Sequence, residues 1–366
     1  MSKLIDIIAG ARPNFMKIAP IIDAFKSHQF EKKGINFRLI HTGQHYDKNM
    51  SETFFDELGI PHPDINLQVG SGTQAEQTAK IMMAYEQILL EKPSNLCIVV
   101  GDVTSTMACS IAARKLHIDV AHIEGGIRSY DETMPEEINR KVTDAITNYF
   151  FTTSEVANQN LRREGIKKEK IFFVGNTMID TLLKNIPRLK EPKIWAENGL
   201  KEQEYIVMTL HRPANVDDPA NLLNLVKIVS ETVAPNKIIF PIHPRTRKVY
   251  ESLDLQPENI ILSEPMGYLE FNYLVKNAKV VITDSGGITE ETTVMKVPCL
   301  TLRDSTERPE TCTIGTNQLI GTDPSKLIEP LKDIFAGNWK KGEIPELWDG
   351  KTADRIAEIL ERILKN

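Results

Sequence analysis

The chain has 366 residues, 41% hydrophobic and 26% charged, ordinary proportions for a soluble globular protein, and its length predicts two domains rather than one core. A net charge of −6 excludes a general binder of nucleic acid or of anionic membrane, while leaving local basic residues able to hold a phosphate-bearing small molecule. Cys97, Cys109, Cys299 and Cys312 lack zinc-type or CxxC spacing and read as reduced, cytosolic thiols, and no apolar run reaches the roughly 18 residues of a membrane span.

The chain enters a strand at Leu4 to Ala9, with no basic-then-apolar signal segment before it. Gly10-Ala11-Arg12-Pro13 follows, then a helix holding Lys17; Pro13 suits the first helical turn. This is not GxGxxG, so no dinucleotide fingerprint is present. Arg12 and Lys17 are expected to face a ligand crevice. A second strand, Asn36 to His41, leads into the polar loop Thr42 to Tyr46 and a helix around Met50 to Leu58. Thr73 to Leu90 is helical, with Ala79, Met82, Met83 and Leu90 on its apolar face. Leu96 to Val100 is a strand ending in Gly101-Asp102-Val103-Thr104, where Asp102 is either a ligand group or a helix cap.

Asp119 to Ile123 ends in Glu124-Gly125-Gly126, a carboxylate followed by two glycines that permit close approach. Pro135-Glu136-Glu137 opens a helix, and acids in its first turn favour the dipole, so one of the two can serve that purpose alone. Strands at Phe150 and at Ile171 to Val174 complete a β/α alternation that implies a doubly wound parallel sheet. Leu183 to Lys201 dissolves into prolines and charge and reads as the interdomain connection. The expected division is 1–182, 183–351, and a terminal helix over 352–366 that packs back on the first domain.

A second alternation begins at Tyr205 to Thr209, which ends in His211-Arg212-Pro213. Further strands are expected at Lys237 to Pro241, Ile260 to Leu262, Val280 to Ile282 and Pro298 to Leu302. The stretch from Val280 carries Asp284-Ser285-Gly286-Gly287 into a helix with Glu290 and Glu291. A strand, a glycine turn and a helix start form a geometry suited to a phosphate. The bland alternative is Asp284 or Ser285 as a simple N-cap. Arg303, Glu307 and Arg308 follow at the next strand end, the region where open α/β sheets bind ligands. Two facing halves make an interdomain cleft, with phosphate-type residues in the second and the carboxylates Asp102, Glu124, Glu136 and Glu137 in the first. No metal site is expected, because His122 and Glu124 lack a third ligand at suitable spacing.

The motifs GARPNFMKIAP, VGDVTST, IEGGIRS, MPEEINR, VGNTMID, TLHRPANVD, TDSGGITEE and RDSTERPE resemble, in collinear order, those of the non-hydrolysing UDP-N-acetylglucosamine 2-epimerases. The resemblance runs from about residue 5 to the terminal helix. It implies a glycosyltransferase-B-like fold of two Rossmann-like domains, a cytoplasmic homodimer, and interconversion of UDP-GlcNAc and UDP-ManNAc with no cofactor. It also implies Asp102, Glu124, Glu136 and His211 as catalytic. Substrate contacts would come from Arg12, Lys17, Phe271, Ser285, Gly286, Gly287, Glu291 and Arg308. Three positions depart from the family pattern: the loop SYDETM before the PEE motif is short, Met266 stands where relatives often carry glutamine, and Asp47 replaces a glutamine. Relatives with the short loop include epimerases of UDP-linked diacetamido-uronic acids, which makes such a sugar the alternative substrate. The Asp47 change bears on activation by a second UDP-GlcNAc. A UDP-sugar glycosyltransferase, a hydrolysing epimerase and a non-enzymatic UDP-sugar sensor are the competing readings.

Overall fold

The structure, a computed structural model, describes residues 2–43, 59–253 and 257–365. The helix expected around Met50 to Leu58 and the departure at Asp47 lie outside the described residues. The chain divides into two compact units, one formed by Met1–Lys184 with Glu346–Asn366, the other by Asn185–Pro345.

The first unit holds β1 (Lys3–Ala9), β2 (Ile35–His41), β3 (Ile65–Asn66), β4 (Leu96–Val100), β5 (Asp119–Ile123), β6 (Tyr149–Thr152) and β7 (Ile171–Phe173). They form one parallel sheet in the order β3-β2-β1-β4-β5-β6-β7. The second unit holds β8 (Tyr205–Thr209), β9 (Lys237–Pro241), β10 (Ile260–Ser263), β11 (Val280–Thr283), β12 (Cys299–Thr301) and β13 (Asn317–Leu319). Their order is β10-β9-β8-β11-β12-β13, again parallel throughout. Parallel strands covered by helices on both faces require continuous apolar runs, and β4, Leu-Cys-Ile-Val-Val, is buried at every position. Ile7, Val99 and Val120 in one sheet, and Val207, Ile239 and Val281 in the other, are wholly buried.

In each sheet the order reverses once, between β1 and β4 and between β8 and β11. At such a switch point the two outgoing connections leave in opposite directions and open a crevice at the strands' carboxyl ends. The GARP turn after β1 and the GDVT turn after β4 flank one of these points. The HRPAN turn after β8 and the DSGG turn after β11 flank the other.

The stretch read as an interdomain connection is partly ordered: the helix Thr177–Asn185 runs into it, and the short helix Lys193–Glu197 packs on the second unit. Trp195 meets Tyr205 and Tyr273 edge-on, with ring centroids 5.5 and 5.3 Å apart. The C-terminal helix spans Thr352–Lys365. Leu347 and Gly350, at φ 62° and 81°, turn the chain just ahead of it. Trp348 is buried, its indole N–H donating to the Thr153 carbonyl at 3.0 Å. The Asp180 carboxylate accepts from the Thr352 and Ala353 amides at 3.2 and 2.7 Å, and Ile356 and Leu360 are fully buried. The helix Thr177–Asn185 and the C-terminal helix are thereby locked together. Among the described residues no helix is long and apolar enough to cross a membrane.

Candidate active site

In the first unit, the turn after β1 is held by Asn14. Its Oδ1 accepts from the Gly10 and Ala11 amides at 3.1 and 3.0 Å, while its Nδ2 donates to the Val100 carbonyl at 3.0 Å. One side chain thus ties the β1 turn to the end of β4. Gly10 is obligatory, since a Cβ there would lie 2.3 Å from Ser105 Oγ. Arg12 is the first residue of the helix Arg12–Ser27. Lys17, farther along it, places Nζ 2.6 Å from Glu124 Oε2. Glu124 is buried at the end of β5 and sits at φ +71°, a left-handed conformation costing roughly 1–3 kcal/mol in a non-glycine residue. Its amide donates to the Phe151 carbonyl at 2.9 Å, which keeps the turn in place.

Asp102 follows Gly101 at the end of β4. It does not cap the next helix: the N-cap of Thr104–Lys115 is Val103, with no side-chain cap. Instead its Oδ2 accepts from Arg140 Nε at 3.0 Å and Nη2 at 2.6 Å, and its carbonyl accepts from Asn139 Nδ2 at 2.8 Å. The side chain is 32% exposed. Gly101 lies beside the other pair, because a Cβ built there falls 3.3 Å from Lys17 Nζ and 3.6 Å from Glu124 Oε2. The structure therefore draws Lys17, Glu124 and the Asp102 turn together, and Arg140 joins them to the helix Pro135–Ile146 that carries Glu136.

The two acids opening that helix differ. Glu136 is half-buried, while Glu137 is wholly buried. Glu137 accepts from the Ser129 amide and hydroxyl at 3.0 Å each, the Tyr130 amide at 3.1 Å and Arg140 Nη1 at 2.6 Å. Burial opposes its charge, but these donors hold its carboxyl below the ordinary range. His122 is a structural neighbour, buried between Asp144 at 2.7 Å and the Gly101 carbonyl at 2.8 Å. Among the described residues no cluster of three or more His, Cys, Asp or Glu side chains is arranged to hold a metal.

In the second unit, Asp284 is the organising group, and it is no helix cap. Wholly buried, it accepts from the His211 amide at 3.0 Å, the Arg212 amide at 2.9 Å, Asn215 Nδ2 at 3.1 Å and His211 Nδ1 at 2.6 Å. Burial disfavours its ionised form, but the His211 and backbone donors hold it below the usual carboxylate range. The imidazole of His211 remains 55% exposed. Ser285 is the N-cap of the helix Gly286–Met295 and makes no side-chain cap bond, so among the described residues no side chain caps the first turn at Gly286 and Gly287.

Glu291 lies deep in that helix and accepts from Tyr268 Oη at 2.8 Å; burial pushes its carboxyl up to about 7. Phe271, half-buried on the helix Tyr268–Asn277, packs with Met266 on the apolar cluster of Val207, Val281 and Leu274. Arg308 is buried and donates through Nε to Glu290. Arg303 forks onto Glu307 at 2.9 and 2.7 Å. Glu310 is 4% exposed and neither oxygen has a hydrogen-bond partner among the described residues; burial raises it to about 7.

The sequence reading missed Asn14, Arg140, Tyr268, Glu310 and the organising role of Asp284. Asn14, four residues beyond Gly10, and the Glu137–Arg140 spacing of i,i+3 were available signals. Glu310 left none, because only the folded backbone buries it.

A sequence profile described as UDP-N-acetylglucosamine 2-epimerase matches residues 28–361. The chain is 43% identical over 97% of its length to the UDP-N-acetylglucosamine 2-epimerase of Methanocaldococcus jannaschii, covering 98% of that protein. It is 39% identical over 99% of its length to the UDP-2,3-diacetamido-2,3-dideoxy-D-glucuronate 2-epimerase of Pseudomonas aeruginosa, covering all of that protein. The crystal structure of the Methanocaldococcus jannaschii UDP-GlcNAc 2-epimerase with UDP-GlcNAc and UDP superposes with a TM-score of 0.85, covering 98% of this chain and 99% of that one at 43% identity.

Proposed function

The chain belongs to the UDP-N-acetylglucosamine 2-epimerase family, and from that premise we propose that it interconverts UDP-GlcNAc and UDP-ManNAc. The observation that carries the reading is the gathering of Asp102, the Lys17–Glu124 pair and the Arg140-linked helix of Glu136 at one sheet's switch point. The hydrogen on C2 of an N-acetyl sugar is not next to a carbonyl, so a carboxylate alone cannot remove it. It becomes acidic when the C1–O bond to UDP is breaking. In the forward half-reaction a base takes the C2 proton, the C–H electrons form the C1–C2 double bond, and UDP departs with the C1–O pair. The product is 2-acetamidoglucal; UDP then re-adds at C1 while C2 is protonated on its other face.

This route needs proton-exchanging groups on both faces of C2, the role given to Asp102, Glu124 and Glu136. It also needs donors on the departing diphosphate, the role given to Arg12, His211 and the uncapped Ser285-Gly286-Gly287 turn. Lys17 neutralises Glu124 and offers a cation to the same substrate. Glu291, Phe271 and Arg308 are the proposed ribose, uracil and UDP contacts. A homodimer in the cytoplasm that feeds cell-surface polysaccharide synthesis completes the reading, and rests on the family's chemistry.

A second substrate is favoured by two observations: the short loop Ser129 to Met134, and the 39% identity to an epimerase named for a diacetamido-uronate. Proton NMR in D₂O with each UDP-sugar in turn tests both readings. The true substrate gains deuterium at C2 and releases traces of UDP and the glycal without any acceptor. Retention of the original C2 hydrogen in the product overturns the elimination. Turnover that requires an acceptor sugar marks a glycosyltransferase instead.

A further inference from the structure

We propose that Glu137 is a positioning residue: acting through Arg140, it selects which oxygen of Asp102 exchanges a proton with the sugar. The proposal rests on the reading of Asp102 as an acid–base group. An acid in the first turn of a helix needs no burial to favour the dipole, and half-buried Glu136 already fills that role. Glu137 is different. It is wholly buried, yet stays charged because four donors converge on it.

The guanidinium of Arg140 is shared. Its Nη1 binds Glu137 at 2.6 Å, while Nε and Nη2 both reach Asp102 Oδ2, at 3.0 and 2.6 Å. A rigid planar fork held at two edges has one orientation. Both donors to Asp102 land on the same oxygen, and Oδ1 receives no hydrogen bond from a described residue. Oδ1 is therefore the oxygen presented for proton transfer. Glu137 also fixes the segment leading into the helix of Glu136: it holds the amides of Ser129 and of Tyr130, the latter at φ +58°. One buried carboxylate thus holds both the Arg140 fork on Asp102 and the segment leading into the helix of Glu136.

The test compares Glu137→Gln, Arg140→Lys, the double variant and Asp102→Asn for C2 deuterium exchange of the UDP-sugar, for UDP affinity by calorimetry and for thermal unfolding. Glu137→Gln keeps the size but removes the charge that steers Arg140. Its kcat is expected to fall on the order of 10- to 100-fold, with KM and UDP affinity within about twofold. The double variant is expected within about threefold of the slower single variant, since both changes release the same fork. Normal kcat in Glu137→Gln overturns the proposal. So does a loss accounted for wholly by a smaller folded fraction, or losses that multiply in the double variant. If Glu137→Gln does not fold, Arg140→Lys decides alone: reduced kcat at constant KM supports the fork's role, and unchanged kcat overturns it. Full activity of Asp102→Asn fails differently, removing the acid–base reading together with this proposal. No turnover of any UDP-sugar by the unaltered enzyme removes the proposed function itself.

Discussion

At Glu310, burial and charge are in direct opposition. The unfolded chain releases this proton near the ordinary 4.5, whereas the folded protein holds it up to about 7. A carboxyl raised on folding contributes stability that is complete below the lower value and is lost as pH rises through the window between them. Glu291, raised to about 7 by burial, acts in the same sense. Glu310→Gln is therefore expected to match the unaltered protein near pH 5 and to exceed its stability near pH 8 by roughly 1–3 kcal/mol in denaturant titrations. Parallel stability curves would show that the ionised carboxylate finds compensation in the fold. The acid–base residues call for another measurement. Asp102→Asn, Glu124→Gln and Glu136→Gln preserve shape and remove proton exchange, so turnover should fall on the order of 10²–10⁴ while UDP affinity stays near normal. Activity surviving in all three would return these carboxylates to structural roles.

Among elements, the turns at the two switch points are each tied by one side chain, Asn14 in the first unit and Asp284 in the second. Asp284→Ala removes the acceptor on which the His211 and Arg212 amides and Asn215 converge. UDP affinity is expected to drop about tenfold or more, read by calorimetry; unchanged affinity would exclude the HRPAN turn from the nucleotide site. Strands such as Leu96–Val100 and Tyr205–Thr209 were legible to the residue, because apolar β-branched runs stop at glycine or polar turns. The edge strands Ile65–Asn66 and Asn317–Leu319 were not, being too short to show a period. Helices Glu155–Arg163 and Ile328–Phe335 also escaped, as short segments of mixed polarity. Strand-end placement made the candidate residues visible. Their partners stayed hidden because the contacts bridge long separations, 38 residues for Arg140 to Asp102 and 107 for Lys17 to Glu124.

For the whole molecule, the decisive feature is that the chain enters the first unit twice, the second time at Glu346. Trp348 and the helix Thr352–Lys365 complete that unit's core, so Trp348→Ala is expected to cost roughly 3–5 kcal/mol and to lower its unfolding temperature. A loss under about 1 kcal/mol would mean that the indole pocket closes over the gap. The same connectivity dictates an order of events on the ribosome. Residues up to 184 emerge first but lack Trp348, the partner of Asp180 and the apolar face of Ile356 and Leu360. The intervening unit, Asn185–Pro345, is contiguous and has all its strands before Glu346 is made. Nascent chains thus carry an unfinished first unit while the second one matures, the reverse of the usual N-terminal-first sequence. For that interval the seat of the C-terminal helix stays uncovered, and it closes only when the helix Thr352–Lys365 has been made.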